Sequence, residues 1–236
     1  INNLRIGIIM KKLMIATLAF MLGSFSMASA ELGVNLGVSG QIGVFAAQGT
    51  ESEDQEQHRS STLTAVGYGS LFLEKTLGSR LAIGIDYVPS ALSSETAESN
   101  RTDQAVALST NVAVTQKVQV DFEDLTTLYA ALNVTENFYV KAGSVSVDVI
   151  TNEALGTGST YGNVSLDGTM MGAGYHYNTS KGIFIRAEAT LMEFDGASLT
   201  STAAAAARPG SGDASNVIKL NELDGVSAKI SIGKSF

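Results

Sequence analysis

From Leu32 onward the chain is built of stretches in which apolar and polar or small residues alternate. The first, Leu32–Ala46, sets Leu32, Val34, Leu36, Val38, Ile42 and Val44 against Asn35, Gly37, Ser39, Gln41 and Gly43. Successive side chains of a strand point to opposite faces, so this period of two predicts a β-strand with one apolar face. Further stretches of the same kind cover Thr62–Glu74, Arg80–Val88, Leu125–Leu132, Phe138–Ile150, Ser165–Tyr177 and Gly182–Asp195. In the eighth, which closes the chain, Val226, Ala228, Ile230, Ile232 and Phe236 share one face and Ser227, Lys229, Ser231, Gly233 and Ser235 the other. Eight strands are therefore expected.

Their connections alternate in length. Short turns are expected at Lys75–Ser79, Asn133–Asn137 and Asn178–Lys181, and long polar loops at Ala47–Ser61, after Pro89, at Thr151–Val164 and from Gly196 to about Glu222. Val112–Phe122 also alternates, so it is expected either to extend the fourth strand or to form part of a loop hairpin. In the fifth strand the apolar parity shifts between Val140 and Val145, which predicts a bulge or an unusual interior.

Residues 10–30 read differently. Lys11 and Lys12, an apolar run from Leu13 to about Met27, and Ala28-Ser29-Ala30 make the pattern of a secretory signal peptide, with cleavage expected between Ala30 and Glu31. The run is shorter than the roughly 20 residues that span a bilayer as a helix. Residues 1–9 are taken as an upstream extension or extended n-region, leaving 31–236 as one domain. Removal of residues 1–30 takes away Arg5, Lys11 and Lys12 and no acids, so 15 basic residues become 12 against 23 acidic, a net charge of −11. Such a balance disfavours nucleic-acid binding. The absence of cysteine excludes a disulfide scaffold and Cys-based zinc sites.

The seventh strand decides the environment. Ile183, Ile185, Ala187, Ala189 and Leu191 lie on one face; Phe184, Arg186, Glu188, Thr190 and Met192 lie on the other. A lipid-facing Arg costs about 2–4 kcal/mol at the bilayer midplane, so the charged face must look inward. Only a closed barrel satisfies the edges of a sheet in lipid. The alternating strands, the signal pattern and the closing strand ending on Phe236 together resemble the superfamily of eight-stranded outer-membrane barrels that includes outer-membrane proteins A, W and X and the opacity-type surface proteins. The resemblance covers 31–236 and implies an all-β, antiparallel up-and-down transmembrane barrel in the outer membrane of a Gram-negative cell, with short turns facing the periplasm and long loops outside. It also implies outer-membrane lipids and the barrel-assembly machinery as partners, the latter reading Phe236 as an assembly signal. Lys234 departs from the family pattern, which usually has an apolar or aromatic residue there; snorkelling to the headgroups accounts for it. The competing fold is a water-soluble barrel of the lipocalin type, with its apolar face inward.

Candidate chemistry is sparse. The inward charges are Glu74, Asp86, Lys141, Arg186, Glu188 and Lys229, of both signs. They are expected to form a salt-bridge network in the lumen, since the bore of eight strands is just wide enough for side chains; the alternative is a gated ion pathway. His58-Arg59-Ser60 has a superficial likeness to the His-x-Ser of lipid A deacylases, but is expected in a loop, and His176 near the periplasmic end of the sixth strand. No catalytic constellation, metal site or cofactor is expected: Glu51, Glu53, Asp54 and Glu56 lack the spacing of a calcium loop, and the glycine-rich run 156–162 is followed by no helix. Trp is absent, and the girdle at the membrane interfaces must come from Tyr68, Phe72, Tyr87, Tyr129, Phe138, Tyr139, Tyr175, Tyr177 and Phe184. Two functional classes follow: a structural or surface-display barrel, or a narrow channel for small solutes or hydrophobic molecules.

Overall fold

Period-two alternation over so much of the chain leaves its strands one way to satisfy their backbone groups, which is to pair with each other all the way round. A computed structural model describes residues 33–53, 56–104, 111–154, 160–201 and 217–236. The expected extension, signal peptide and cleavage site lie outside the described residues. The strands are β1 (Val34–Glu53), β2 (Glu56–Leu77), β3 (Leu81–Tyr87), β4 (Leu92–Ser93), β5 (Ala97–Gln104), β6 (Asn111–Asn133), β7 (Phe138–Ala154), β8 (Val164–Asn178), β9 (Ile183–Phe194), β10 (Ala197–Thr200) and β11 (Val217–Ser235). Eight form an antiparallel ring in the order β1-β2-β3-β6-β7-β8-β9-β11, and β11 returns to β1 from Asn35↔Ser235 to Ser52↔Val217. β4 and β5 pair with β6, and β10 with β11.

The two faces of the ring separate cleanly. Leu36, Val38, Ile42, Leu71, Ile185, Leu191, Val226, Ile230 and Ile232 are exposed on the outside, Ile42 by 64% and Ile230 by 60%. Asn35, Gln41, Ser70, Glu74, Asp86, Lys141, Thr190, Ser227, Lys229 and Ser231 are buried inside. A soluble barrel would show the reverse. A closed ring with an apolar exterior and a polar interior is what hydrocarbon demands of a spanning sheet. The soluble alternative is thereby excluded.

Several expectations are corrected by how far the ladders run. The polar segment Ala47–Ser61 is strand almost to its tip, because β1 and β2 stay in register to Glu53↔Glu56; a polar side chain opposes strand formation only where it must face lipid. His58 therefore lies in β2. The long loops after Pro89 and Gly196 contain β4, β5 and β10, and β7 and β11 also reach into the expected loops. Both alternatives for Val112–Phe122 hold together: it prolongs β6 alongside β7 and is one arm of the β5–β6 hairpin. The irregularity expected in the fifth strand lies across the ladder. β7 is continuous; β6 carries the bulge, where the register shifts between Glu123 and Thr126 and Asp124 adopts φ 53°. The parity change in β7 reflects an apolar interior, with Val145 and Val147 pointing in.

The aromatic residues are the largest correction. Of the nine girdle candidates, Tyr68, Phe72, Tyr129, Tyr139 and Phe184 are buried inside, while Phe138, Tyr175 and Tyr177 are exposed outside. Tyr129 is paired with Gly84 and Tyr139 with Gly174. A Cβ placed on either glycine would lie 2.5 Å from the ring opposite. Phe72 and Phe184 lean in the same way over Gly37 and Gly233, their cross-strand partners. The ring of one strand fills the place of the side chain that glycine lacks, so these aromatics fit a narrow bore.

Candidate functional site

The interior is stacked in tiers. Nearest the short-turn end, β2 presents Glu74 and β9 presents Arg186, brought together across the bore because each sits at an inward position of its strand. Arg186 Nη1 and Nη2 donate to Glu74 Oε1 and Oε2 at 2.5 and 2.7 Å. The same carboxylate accepts from Asn35 Nδ2 at 3.0 Å and from Tyr129 Oη at 2.8 Å. Glu74 is 1% exposed. The guanidinium carbon lies 4.5 Å from the ring centroid of Phe184 and 5.4 Å from those of Phe72 and Tyr139. Nε of Arg186 is buried without a hydrogen-bond partner, and these aromatic rings are what surrounds the group.

A second pair of ion pairs lies further in. Lys229 Nζ donates to Asp86 Oδ2 at 2.7 Å, and Lys141 pairs with Glu188, which also accepts from Tyr139 Oη at 2.7 Å. Lys141 Nζ stands 4.6 Å from the centroid of Tyr129. All six inward charges thus occupy the lumen as three pairs, Glu74–Arg186, Asp86–Lys229 and Lys141–Glu188. Charges taken out of water are stable only when paired and hydrogen-bonded, and here every carboxylate has its cation.

Toward the long-loop end the polar tier gives way to an apolar one of Val88, Leu125, Val145, Val147, Leu166, Met170, Met192, Phe194 and Leu223, with Phe45, Phe122 and Leu220 against it. This tier was not anticipated from the sequence. Its signal was present: Met192 and Phe194 share the parity of Arg186 on β9, and Val145 and Val147 that of Lys141 on β7. Between the tiers remains a void of about 20 Å³, bordered by Gln41, Asp86, Lys141, Met170 and Lys229, room for about one water. Below the charges a vestibule of about 400 Å³ opens at the short-turn end and stops at Glu74, Tyr139, Phe184 and Arg186.

The chain is an eight-stranded barrel of the outer-membrane type. Its lumen is occupied by its own side chains, and the closed ring, the apolar outside and the paired charges inside are seen in this chain itself. No family model and no curated protein matches it. Among solved structures it is similar to the outer-membrane protein OprG of Pseudomonas aeruginosa, at 11% identity and TM-score 0.46 over 88% of this chain and 98% of that one. It is also similar to the outer-membrane protease OmpT of Escherichia coli, at 8% and 0.44 over 90% and 100%. The attachment invasion locus protein Ail of Yersinia pestis follows at 12% and 0.34 over 85% and 99%.

The remaining residues singled out in the sequence fall apart in space. His176 stacks on Tyr139 with centroids 5.8 Å apart, and its Nε2 is 2.7 Å from the Glu136 carbonyl oxygen, so it is packed at the vestibule wall. Asp54 of the acidic cluster and residues 156–159 of the glycine-rich run lie outside the described residues. Phe236 is 71% exposed at the short-turn end, held through its backbone: its N–H donates to the Val34 carbonyl at 2.8 Å and its carbonyl accepts from Val34 N–H at 3.1 Å. Lys234 stands outside with Nζ 4.9 Å from the Phe236 ring centroid, which fits a cation at the headgroup level.

Proposed function

We propose that this chain is a non-enzymatic structural or surface-display barrel of the Gram-negative outer membrane. The single observation carrying that reading is the filled lumen: three ion pairs, five inward aromatics and an apolar tier occupy the bore above the short-turn vestibule. A solute would have to break buried ion pairs to pass. What remains available is the outside: the lipid-facing belt, and the hairpins β1–β2 and β5–β6 that continue beyond it. Exposed Phe236, at the end of β11, is the group offered to the barrel-assembly machinery. Purified protein in planar bilayers tests the reading. It is expected to show no steady conductance, and discrete, long-lived ohmic steps would overturn it.

The apolar tier favours a second reading, a conduit for hydrophobic molecules. Nine apolar side chains in the outer half of the bore give an uncharged molecule a place that a charged solute lacks. Saturable, stoichiometric binding of an apolar fluorophore that is lost in Met170→Asp would support this reading, whereas a purely structural barrel would bind none.

A further inference from the structure

The charges outside the lumen are sorted by height. Of the eleven described lysines and arginines, three are in the lumen, Arg59, Arg101, Lys117 and Lys219 are on the long-loop side, and Lys75, Arg80, Lys181 and Lys234 are at the short-turn end. Outside the lumen, the one described side-chain carboxylate at the short-turn end is Glu136, in the turn between β6 and β7; the others lie on the long-loop side. Even with a carboxylate at Phe236, the short-turn rim is net positive on a chain that is acidic overall.

The rim is also sorted around its circumference. Lys234 on β11 pairs with Ile183 of β9 on one side and Leu36 of β1 on the other, and Lys75 on β2 pairs with Val34 of β1 and Ile83 of β3. Lys181 is in the turn that opens β9, and Arg80 in the turn that opens β3. The four cations thus stand on one arc, β9-β11-β1-β2-β3. The facing arc, β6 to β8, carries Glu136 and the exposed aromatics Phe138, Tyr175 and Tyr177, and no cation among the described residues. Lysines that only anchored the barrel at the headgroups would serve on any side of it. Their collection on one arc singles out that stretch of wall.

The wall above the cations is shaped as well. Lys234 and Lys75 share the parity of the outward Ile232 and Leu71 and flank β1, two strand spacings or about 10 Å apart. Between and above them run Leu36, Val38 and Leu71, all exposed. Next come the paired outward positions Gly40 and Gly69. Among the described residues nothing lies within 4 Å of a Cβ placed on Gly40, so the aliphatic column ends in a hollow. Six residues separate Lys75 from Gly69, about 20 Å along a strand. At the usual tilt of barrel strands that is about 15 Å of depth, the hydrocarbon of one leaflet.

We propose that the β11-β1-β2 wall is a binding site for an anionic phospholipid of the periplasmic leaflet. Its phosphate lies between Lys234 and Lys75, with Lys181 and Arg80 beside them at the rim, and an acyl chain follows Leu36 and Val38 to the hollow at Gly40. A phosphodiester without its own ammonium offers these cations both a charge and acceptor oxygens, whereas a zwitterionic headgroup brings a cation that the rim repels. The site rests on the barrel spanning the membrane with its short turns toward the periplasm. It is indifferent to whether the lumen conducts.

The chain has no Trp, so one introduced indole reports its own lipid neighbours. Leu36→Trp, on the basic arc, and Tyr175→Trp, on the facing arc, are each refolded into vesicles of phosphatidylcholine with a minor fraction of phosphatidylglycerol. Bromine near the glycerol end of the acyl chains is carried either by the phosphatidylglycerol or by an equal amount of the phosphatidylcholine. Leu36→Trp is expected to be quenched several-fold more by brominated phosphatidylglycerol, Tyr175→Trp to about the same extent by both, and adding Lys75→Gln/Lys234→Gln to Leu36→Trp should abolish its preference. Equal quenching by the two lipids at Leu36→Trp overturns the site. So does the same preference at both positions, or a preference that survives Lys75→Gln/Lys234→Gln. If Leu36→Trp does not give the folded gel species, Ile183→Trp, beside Lys234, provides the same comparison. Gly40→Phe, which fills the hollow, should lower the preference, and an unaltered preference overturns the placement of the acyl chain. Ohmic conductance together with the phosphatidylglycerol preference would reject the filled-lumen reading and keep the site; a silent barrel without the preference would reject the site alone.

Discussion

Replacing Glu74 with Leu removes the acceptor at the centre of the inner charge tier. In the folded barrel Arg186 is left with its guanidinium buried, its side chain 13% exposed, facing Phe72, Phe184 and Tyr139 and no carboxylate within reach of its two former bonds. Breaking a buried pair in this one-sided way costs about 3–5 kcal/mol. Tyr129 Oη and Asn35 Nδ2 also lose their acceptor, at about 1–3 kcal/mol for a donor that stays buried. These losses share one network and do not add, so a net destabilisation of about 4 kcal/mol, the middle of the first range, is expected. Glu74→Leu/Arg186→Met should recover most of it, since exchanging both partners for apolar groups is close to neutral. Tyr129→Phe in that background should recover more by removing an orphaned hydroxyl. The assay is urea titration of the barrel in phospholipid vesicles, reading folded and unfolded fractions by gel mobility. A single variant within about 1 kcal/mol of the parent, or a double variant no more stable than the single, would refute the reasoning.

Other outcomes follow from the same geometry. Gly84→Val and Gly174→Val, which force a side chain into the rings of Tyr129 and Tyr139, should each cost about 1–3 kcal/mol in the same titration, and Tyr129→Ala should rescue the first. Lys141→Met strands Glu188 in the lumen and should lower the urea midpoint, with Lys141→Met/Glu188→Leu restoring it. Deleting Phe236 should reduce assembly yield in cells without lowering the stability of protein refolded in vitro, while Lys234→Tyr should leave both near the parent level.

What the sequence disclosed and what it hid divide along the direction of forces. Alternation in Leu32–Ala46, Gly182–Asp195 and Val226–Phe236 reports the sharp difference between lipid outside and packed lumen inside, and the ring follows from it. Arg186, Glu188 and Lys229 declared their side for the same reason. Alternation is silent where both faces accept the same residue. Ala47–Glu53 and Gln57–Ser61 lie past the belt, where water tolerates polar groups on either side of a strand, so β1 and β2 read as a loop. Aromatic residues were misplaced because interface and bore both suit them; the deciding partner, a glycine on the next strand, is set by register and is invisible in one strand's sequence. The apolar tier hid likewise, because Val145, Val147 and Met170 look like lipid-facing residues until the parity of Lys141 and Gly172 is carried through them.

The central claim is a spanning barrel whose lumen is filled, and spin-label accessibility along the closing strand tests it most directly. Single cysteines at positions 226 to 232, introduced one at a time into this cysteine-free chain, are labelled in lipid vesicles and exposed in turn to oxygen, which concentrates in hydrocarbon, and to a water-soluble nickel chelate. Labels replacing Val226, Ala228, Ile230 and Ile232 should respond to oxygen, and those replacing Ser227, Lys229 and Ser231 should respond weakly to both reagents. Strong nickel relaxation at Ser227, Lys229 and Ser231 would reveal a water-filled bore, and nickel relaxation at Ala228 and Ile230 would place the strand outside the membrane; either contradicts the account.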